Sequence, residues 1–356
     1  MNDDRRNYGI DLLKVFMMFL IVCGHVIWHG NIWSKTVSYN QFVVTGEIVR
    51  IIDIISSCAV NCYAMTTGYL LFDSSCNKKK ILAHWRQVET YSVLCFFFIG
   101  TSIDFSVKNM ISSFFPIARN QYWYFTSYFI VYLLAPYINK MLKNLNKKEF
   151  SILVFGEIIF LSVVPTLVTT DVFSLNRGYS PWWMIVLYTI GAYIKRFKTE
   201  LSLNIRYIIM FLIILLVLSY VMEKIGELMC TSFLAEQLNI RDIVVGYTKT
   251  LTVFESLATF LIFENIIISS NVLKKWISII AKATFGVYLF HDNIYIRQAY
   301  SNMLDSFFWG GRICCLVSNQ FVYAWSGYRV IEDIYSKKNE LHLHKTVNCL
   351  VWRIAK

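Results

Sequence analysis

The sequence predicts an all-α membrane protein, a polytopic bundle of about ten transmembrane helices, and three observations support this. Long apolar runs recur along the chain, most of them near the ~18–20 residues that a helix needs to cross a ~30 Å hydrocarbon core. Basic residues cluster in alternate connections between these runs. Hydrophobic residues make up 56% of the 356 residues and charged residues only 16%, which is too apolar for a soluble chain.

The apolar runs predict the spans 10–30, 47–72, 87–103, 121–139, 151–169, 181–195, 204–222, 247–268, 276–294 and 310–331. Several runs are weak at one edge, so nine to eleven spans are compatible with the sequence. The first run is too long, and has the wrong flanks, for a cleaved signal peptide. It is therefore expected to remain as the first helix.

Basic residues predict the orientation of the chain in the lipid bilayer. With a cytoplasmic N-terminus, the inner connections carry clusters of basic residues, whereas the outer ones carry scattered single basic residues. The inner clusters are Arg5–Arg6, Lys78–Lys80, Lys140–Lys148, Lys195–Arg206 and Lys274–Lys275. This is the positive-inside pattern, and an even number of spans places both termini in the cytoplasm. Because the net charge of +11 is divided among short loops, nucleic-acid binding is not expected.

One integral membrane domain is expected over residues 1–331, followed by a short basic cytoplasmic tail over 332–356. No internal repeat and no Pro-rich or Gly/Ser-rich linker divides the chain. The nine cysteines lie mostly in apolar runs, and no pair has zinc-ligand spacing with histidines, so they are interpreted as small buried residues. His342 and His344 are too isolated to predict a metal site, and no metal is expected.

Polar residues inside the first span are the candidates for function, because burying charge in a membrane is costly. Asp11 and Lys14 are three residues apart and are expected to pair near the cytoplasmic end. His25 follows Lys14 by eleven residues, about three turns, which returns it to nearly the same face about 16 Å further along the axis. This predicts one cavity with a cation at its cytoplasmic mouth and an imidazole in the outer half of the membrane.

That spacing suits coenzyme A, whose extended pantetheine arm joins phosphates at one end to a thioester at the other. Lys14 would hold the anionic end while the thioester reaches His25, and a neutral imidazole is the usual group for removing a proton from an attacking hydroxyl. The structural alternative is that Asp11 and Lys14 anchor the helix end and His25 bonds to a neighbouring helix.

Four segments together resemble the acyltransferase 3 family of integral membrane acyltransferases over approximately residues 5–330. Asp11, Lys14 and His25 resemble the family's first helix, and residues 59–72 its Phe-Phe-x-x-Ser-Gly-Phe/Tyr-Leu element. Residues 121–136 resemble its Trp-Phe-Leu and Tyr-Leu-x-x-Pro stretch, and residues 285–291 its Leu-Gly-x-Tyr-Leu-x-His element. Their order and spacing, rather than any single motif, carry the resemblance.

The resemblance implies an O-acyltransferase of the bacterial cytoplasmic (inner) membrane. Its donor would be acyl-coenzyme A, with acetyl-CoA as substrate rather than as a permanently bound cofactor, and its acceptor a hydroxyl of a cell-surface glycan or its lipid-linked precursor. His25 would be the catalytic residue, either as general base or as transient acyl carrier. Two other interpretations remain, a non-enzymatic transporter or flippase for polysaccharide intermediates and a structural subunit of a glycan-synthesis complex.

Donor and acceptor sites are expected at opposite ends of the cavity. Lys14, Asp11 and Arg86 are expected at the donor site, where Lys14 stands in place of the family's usual arginine and keeps the charge without the bidentate fork. A plain positive-inside loop explains Arg86 equally well. Trp123, Tyr124 and Tyr128 are expected either as an aromatic wall for a sugar or lipid or as part of an aromatic belt at the membrane interface. His291, with Asp292, would hold the acceptor or orient a catalytic group, or it is an interfacial histidine at a helix end.

Charged residues near the second and seventh spans are interpreted structurally. Glu47 and Arg50 are spaced to pair near the outer surface. Glu223 and Glu227 fall just beyond the predicted span 204–222, and they are expected on a solvated face.

Overall fold

The structure is a computed structural model, and it describes residues 6–37, 42–74, 77–168, 171–200, 204–229 and 244–299. Over these residues the chain is predominantly helical and contains no strand, which confirms the predicted all-α class. The helices are α1 (Tyr8–His29), α2 (Ile32–Thr36), α3 (Val44–Ser57), α4 (Ala59–Leu71), α5 (Lys78–Cys95), α6 (Thr101–Ile103), α7 (Val107–Ser113), α8 (Trp123–Asn144), α9 (Lys147–Ile158), α10 (Val164–Val168), α11 (Pro181–Phe197), α12 (Ile205–Met229), α13 (Thr250–Glu264) and α14 (Asn271–His291). The predicted span 310–331 and the tail lie outside the described residues.

Four helical stretches in the described part of the chain are long and apolar enough to cross a membrane: Tyr8–His29, Val44–Leu71, Lys147–Val168 and Ile205–Glu227. They coincide with the predicted first, second, fifth and seventh spans. The protein is therefore a multi-pass membrane protein. The other spans and the orientation of the termini stay predictions.

Helix α1 occupies the centre of the bundle and contacts α3, α4, α13 and α14. The side chain of Asn7 caps its start by accepting hydrogen bonds from the backbone N–H groups of Gly9 and Ile10. Gly9 allows a close approach to α13, since a Cβ at this position would lie 2.0 Å from the carbonyl oxygen of Phe263. Both features fix the position of α1, and therefore of every polar side chain on it.

Helices α4 and α11 pack backbone to backbone through two glycines. A Cβ at Gly68 would lie 2.0 Å from the carbonyl oxygen of Tyr188, and a Cβ at Gly191 would lie 2.0 Å from that of Met65. Small residues permit this approach in membrane proteins, where van der Waals packing drives helix association.

A buried ion cluster joins α3 to α12, and it corrects the expectation of a solvated face. Glu223 and Glu227 are 3% and 5% exposed and accept hydrogen bonds from the guanidinium of Arg50 at 3.2 and 3.1 Å. Glu47 lies 3.3 Å from Nε of Arg50, as the spacing predicted, and Lys224 contacts Glu47 and Glu227. The expectation was wrong because α12 continues through Met229 and carries both glutamates into the interface.

Candidate active site

His25 is held by two groups at the end of α14. Its Nδ1 lies 3.1 Å from Nε2 of His291 and 3.3 Å from a carboxylate oxygen of Asp292. The contact between the two histidines joins positions 266 residues apart in the chain. The structure therefore brings together the two histidines that the sequence singled out.

These contacts define which nitrogen of His25 carries the proton. Nδ1 of His291 lies 2.7 Å from the carbonyl oxygen of Val287, which can only accept, so this nitrogen carries a hydrogen. In the neutral imidazole the other nitrogen, Nε2, must then accept a hydrogen bond from Nδ1–H of His25. Asp292 accepts from the same Nδ1–H. Nε2 of His25 is consequently the nitrogen with a free lone pair, as a general base requires.

Helix α8 holds the end of α14 in this position. The buried hydroxyl of Tyr122 donates to the carbonyl oxygen of Leu289 at 3.0 Å and accepts from the side-chain amide of Asn293 at 2.8 Å. These two hydrogen bonds hold Leu289 and Asn293, the residues on either side of the pair His291 and Asp292, in place. The contact with His25 suits His291 to orient that imidazole, and its role in catalysis stays a prediction.

Two cavities of different size meet at His25. The larger has a volume of about 540 Å³, within the ~300–1,000 Å³ typical of small-molecule sites. Its wall includes Asp53, Asp171 and Arg177 as well as apolar groups. The smaller cavity has a volume of about 40 Å³ and is lined by Met18, Ile21, His25, Val60, Tyr63, Trp123, Tyr124, Tyr247, Phe285, Tyr288 and Asp292. His25 lines both, so a group in either cavity can reach it.

An aromatic cluster stands between the cavities. The ring centroid of Trp123 lies 4.5 Å from that of Tyr179 and 5.9 Å from that of Tyr247, and the Tyr179 and Tyr247 centroids are 5.1 Å apart. Tyr179 lines the larger cavity, Trp123 and Tyr124 line the smaller one, and Tyr247 lines both. Tyr179 and Tyr247 thus add two aromatic rings beside Trp123 that the sequence motifs do not contain, and a role of these rings in binding a sugar or lipid stays a prediction.

The other end of α1 carries a cluster of cations. Asp11 contacts Arg6 at 2.6 Å and Lys14 at 3.2 Å, so the predicted pair is formed and a second cation joins it. Lys80 on α5 is near enough to act on Lys14 electrostatically. With one carboxylate among these cations, the cluster has a net positive charge and suits an anionic ligand. Arg86 lies further along α5 with its side chain exposed, and no described contact joins it to this cluster.

His84 was missed by the sequence reasoning. Its ring lies 5.2 Å from that of Phe285 and 6.4 Å from that of Tyr128, measured between centroids. Its Nδ1 is buried and has no hydrogen-bond partner in the described part of the chain. His84 thus packs against Phe285, a residue of the smaller cavity's wall, and follows Lys80 by one turn on α5. In the sequence, the one signal for the location of His84 is its position within the basic segment 78–86.

One group of side chains has the atoms to hold a metal ion. Ligand atoms of His25, His29 and Asp292 lie within 4.8 Å of one another. Arg297 opposes a cation there, because its guanidinium lies 3.7 Å from Asp292 and 3.5 Å from Nε2 of His29. A neighbouring positive charge disfavours a divalent ion. These residues fit a hydrogen-bonded proton-transfer site better than a metal centre.

Comparison with known proteins gives one match. A family model described as an acyltransferase domain covers residues 7–323, which is most of the chain. No curated protein and no solved structure matches the chain.

Proposed function

The chain belongs to the acyltransferase 3 family and is a membrane acyltransferase, and from this premise we propose that it transfers an acetyl group from acetyl-CoA to a hydroxyl of a cell-surface glycan or its lipid-linked precursor. We place it in the bacterial inner membrane, with both termini in the cytoplasm. The observation that carries the proposal is the orientation of His25. Nδ1–H is engaged by His291 and Asp292, so Nε2 is left as a base where the two cavities meet.

The donor would enter from the cytoplasmic end of α1. Lys14 lies eleven residues before His25, about 16 Å along the helix axis, which suits a pantetheine arm with its phosphates at the cation cluster. Along that path the arm would pass His84, whose buried Nδ1 can bond to a pantetheine amide. The smaller cavity supports acetyl as the acyl group. Its ~40 Å³ holds about three water-sized groups, comparable to the three heavy atoms of an acetyl.

The acceptor would occupy the larger cavity. Its volume fits a sugar ring, and Tyr179 and Tyr247 supply aromatic faces for stacking. The acceptor hydroxyl would give its proton to Nε2 of His25 while its oxygen attacks the thioester carbon. The C–S bond then breaks, and the leaving thiolate of coenzyme A takes the proton back. In the second route, Nε2 attacks the thioester carbon, the C–S bond breaks and the coenzyme A thiolate leaves. The acceptor oxygen then attacks the acetyl group on Nε2, the C–N bond breaks to regenerate His25, and the thiolate takes the hydroxyl proton.

The test is incubation of purified protein with radiolabelled acetyl-CoA and glycan acceptors, comparing wild type with His25→Ala. General acid–base groups contribute about 10²–10⁴ in rate, so the alanine variant should lose at least about 100-fold. Calorimetric titration with coenzyme A serves as the control, because the variant keeps Lys14 and should bind the donor normally. Transfer within about a factor of two of wild type, at equal amounts of folded protein, would remove His25 from the mechanism.

A further inference from the structure

Two buried tyrosine hydroxyls beside His25 make no hydrogen bond within 3.5 Å among the described residues, although the Thr67 hydroxyl lies near one of them and the backbone of Phe125 near the other. They belong to Tyr124 on α8 and Tyr288 on α14, and both side chains line the smaller cavity. Their ring centroids are 6.1 Å apart. Tyr63, on the same cavity wall, differs because its hydroxyl donates to Oγ1 of Thr284 at 2.6 Å. The unpaired hydroxyls are therefore a property of these two tyrosines rather than of the cavity as a whole.

A buried hydroxyl without a partner costs free energy, and native proteins seldom keep one without a use. Phenylalanine at either position would fill the same volume without this cost. A hydroxyl that is unpaired in the free protein can donate its proton to a ligand oxygen. The ligand atom that meets this hydroxyl must be a hydrogen-bond acceptor, because a phenylalanine ring would pack equally well against an apolar ligand atom.

We infer that Tyr124 and Tyr288 form an oxyanion-binding site that holds the carbonyl oxygen of the donor thioester. Tyr288 is also one turn from His291 and Asp292 on α14, so the helix that orients His25 also places this hydroxyl. An oxygen bound between the hydroxyls would keep its carbonyl carbon within the cavity that His25 lines. The inference rests on the proposed acetyl transfer and adds to it the groups that stabilise the transition state.

The step balances without any further reactant. The acceptor oxygen bonds to the carbonyl carbon, its proton moves to Nε2 of His25, and the carbonyl electron pair moves onto oxygen. The two tyrosine hydroxyls donate hydrogen bonds to this oxyanion, which carries more charge than the ground-state carbonyl, so they lower the barrier. When the carbonyl re-forms, the C–S bond breaks and the thiolate leaves with the proton from His25.

Tyr288→Phe and Tyr124→Phe test this inference, with Tyr188→Phe as the matched control. Tyr188 is fully buried on α11, lines neither cavity, and donates its hydroxyl hydrogen to Asn139 at 2.8 Å. Removing one oxyanion-hole donor lowers kcat about 10²–10³-fold. We expect such losses in Tyr288→Phe and Tyr124→Phe, with unchanged coenzyme A affinity and undiminished melting temperature. The control should show the reverse, a lower melting temperature with kcat preserved.

The outcomes separate this inference from the proposed function. If wild type transfers acetyl and His25→Ala does not, but both tyrosine variants keep kcat within about threefold, the oxyanion site is wrong and the proposed function stands. A weaker affinity for coenzyme A with kcat unchanged also overturns it, since the hydroxyls would then bind the ground state. If wild type transfers no acyl group at all, both fail.

Discussion

Replacing Asp292 by alanine should harm catalysis more than replacing it by asparagine. The carboxylate accepts the hydrogen of His25 Nδ1, 3.3 Å away, while His291 accepts the same hydrogen and fixes the tautomer in either variant. An asparagine amide can turn its oxygen toward Nδ1–H and keep this hydrogen bond without the charge. Nε2 of His25 would therefore keep its free lone pair in both variants, and only the strength of the bond to residue 292 would differ.

The size of each effect follows from the remaining contacts. In Asp292→Ala, His291 still accepts from Nδ1–H at 3.1 Å, so the tautomer is kept and one charge-assisted bond is lost. Such bonds contribute about 1.5–3 kcal/mol, and tenfold in rate corresponds to about 1.36 kcal/mol. Because this bond is long and shared, we expect the lower end, a loss of about tenfold in kcat. Asp292→Asn keeps a neutral hydrogen bond, which contributes about 0.5–1.5 kcal/mol, so its loss in kcat should stay below about fivefold.

The assay is release of the coenzyme A thiol at saturating donor and acceptor, with equal amounts of folded protein. Coenzyme A affinity, measured by calorimetry, should be unchanged in both variants because neither alters the cation cluster at Lys14. An asparagine variant as impaired as the alanine variant would show that Asp292 contributes its charge rather than a hydrogen-bond acceptor. Wild-type kcat in both would refute the hydrogen-bond argument altogether.

The remaining predictions concern the donor, the topology and the ion cluster. Lys14→Ala should weaken coenzyme A binding in a calorimetric titration while Lys14→Arg retains much of it, and unchanged affinity in the alanine variant would leave Lys14 as a helix anchor. Cysteines placed at 77 and 145 in a cysteine-depleted protein should label only from the cytoplasm and one at 176 from outside, and the opposite pattern would invert the proposed route. Arg50→Leu should destabilise the fold by about 3–5 kcal/mol, seen as a lower melting temperature, because it removes one of the two described cations among three buried carboxylates and leaves Lys224 alone. An unchanged melting temperature would show that these carboxylates need no second cation.

The local part of the site could be predicted because it lies on one helix. The 3.6-residue period is enough to place Asp11 beside Lys14 and to bring His25 back to their face about three turns later. The structure confirms the contact between Asp11 and Lys14. The partners of His25 could not be obtained this way, because the contact with His291 spans 266 positions and depends on how α14 packs against α1.

The sequence also could not predict whether a polar group is buried or exposed to solvent. Glu223 and Glu227 lie just past an apolar run, where both a solvated loop and a continued helix are possible. The choice is made by Arg50 on α3, a buried cation that needs carboxylates. Likewise, nothing in the sequence separates Tyr288 from Tyr122, although the hydroxyl of Tyr122 donates to the carbonyl oxygen of Leu289 on α14 and that of Tyr288 makes no hydrogen bond within 3.5 Å in the described part of the chain.

The unequal cavities on either side of His25 fit a transfer reaction with two dissimilar substrates. The ~540 Å³ cavity has room and polar groups for a whole acceptor ring, whereas the ~40 Å³ cavity admits only the end of a donor. A donor held in so small a space would have its thioester shielded from water on most sides. Among the titratable groups that the structure describes on α1, His25 alone lines both cavities, and Lys14 lies about 16 Å away along the helix axis. One imidazole with a fixed tautomer would therefore meet a carbonyl from one side and a hydroxyl from the other, without a change in the position of the helix.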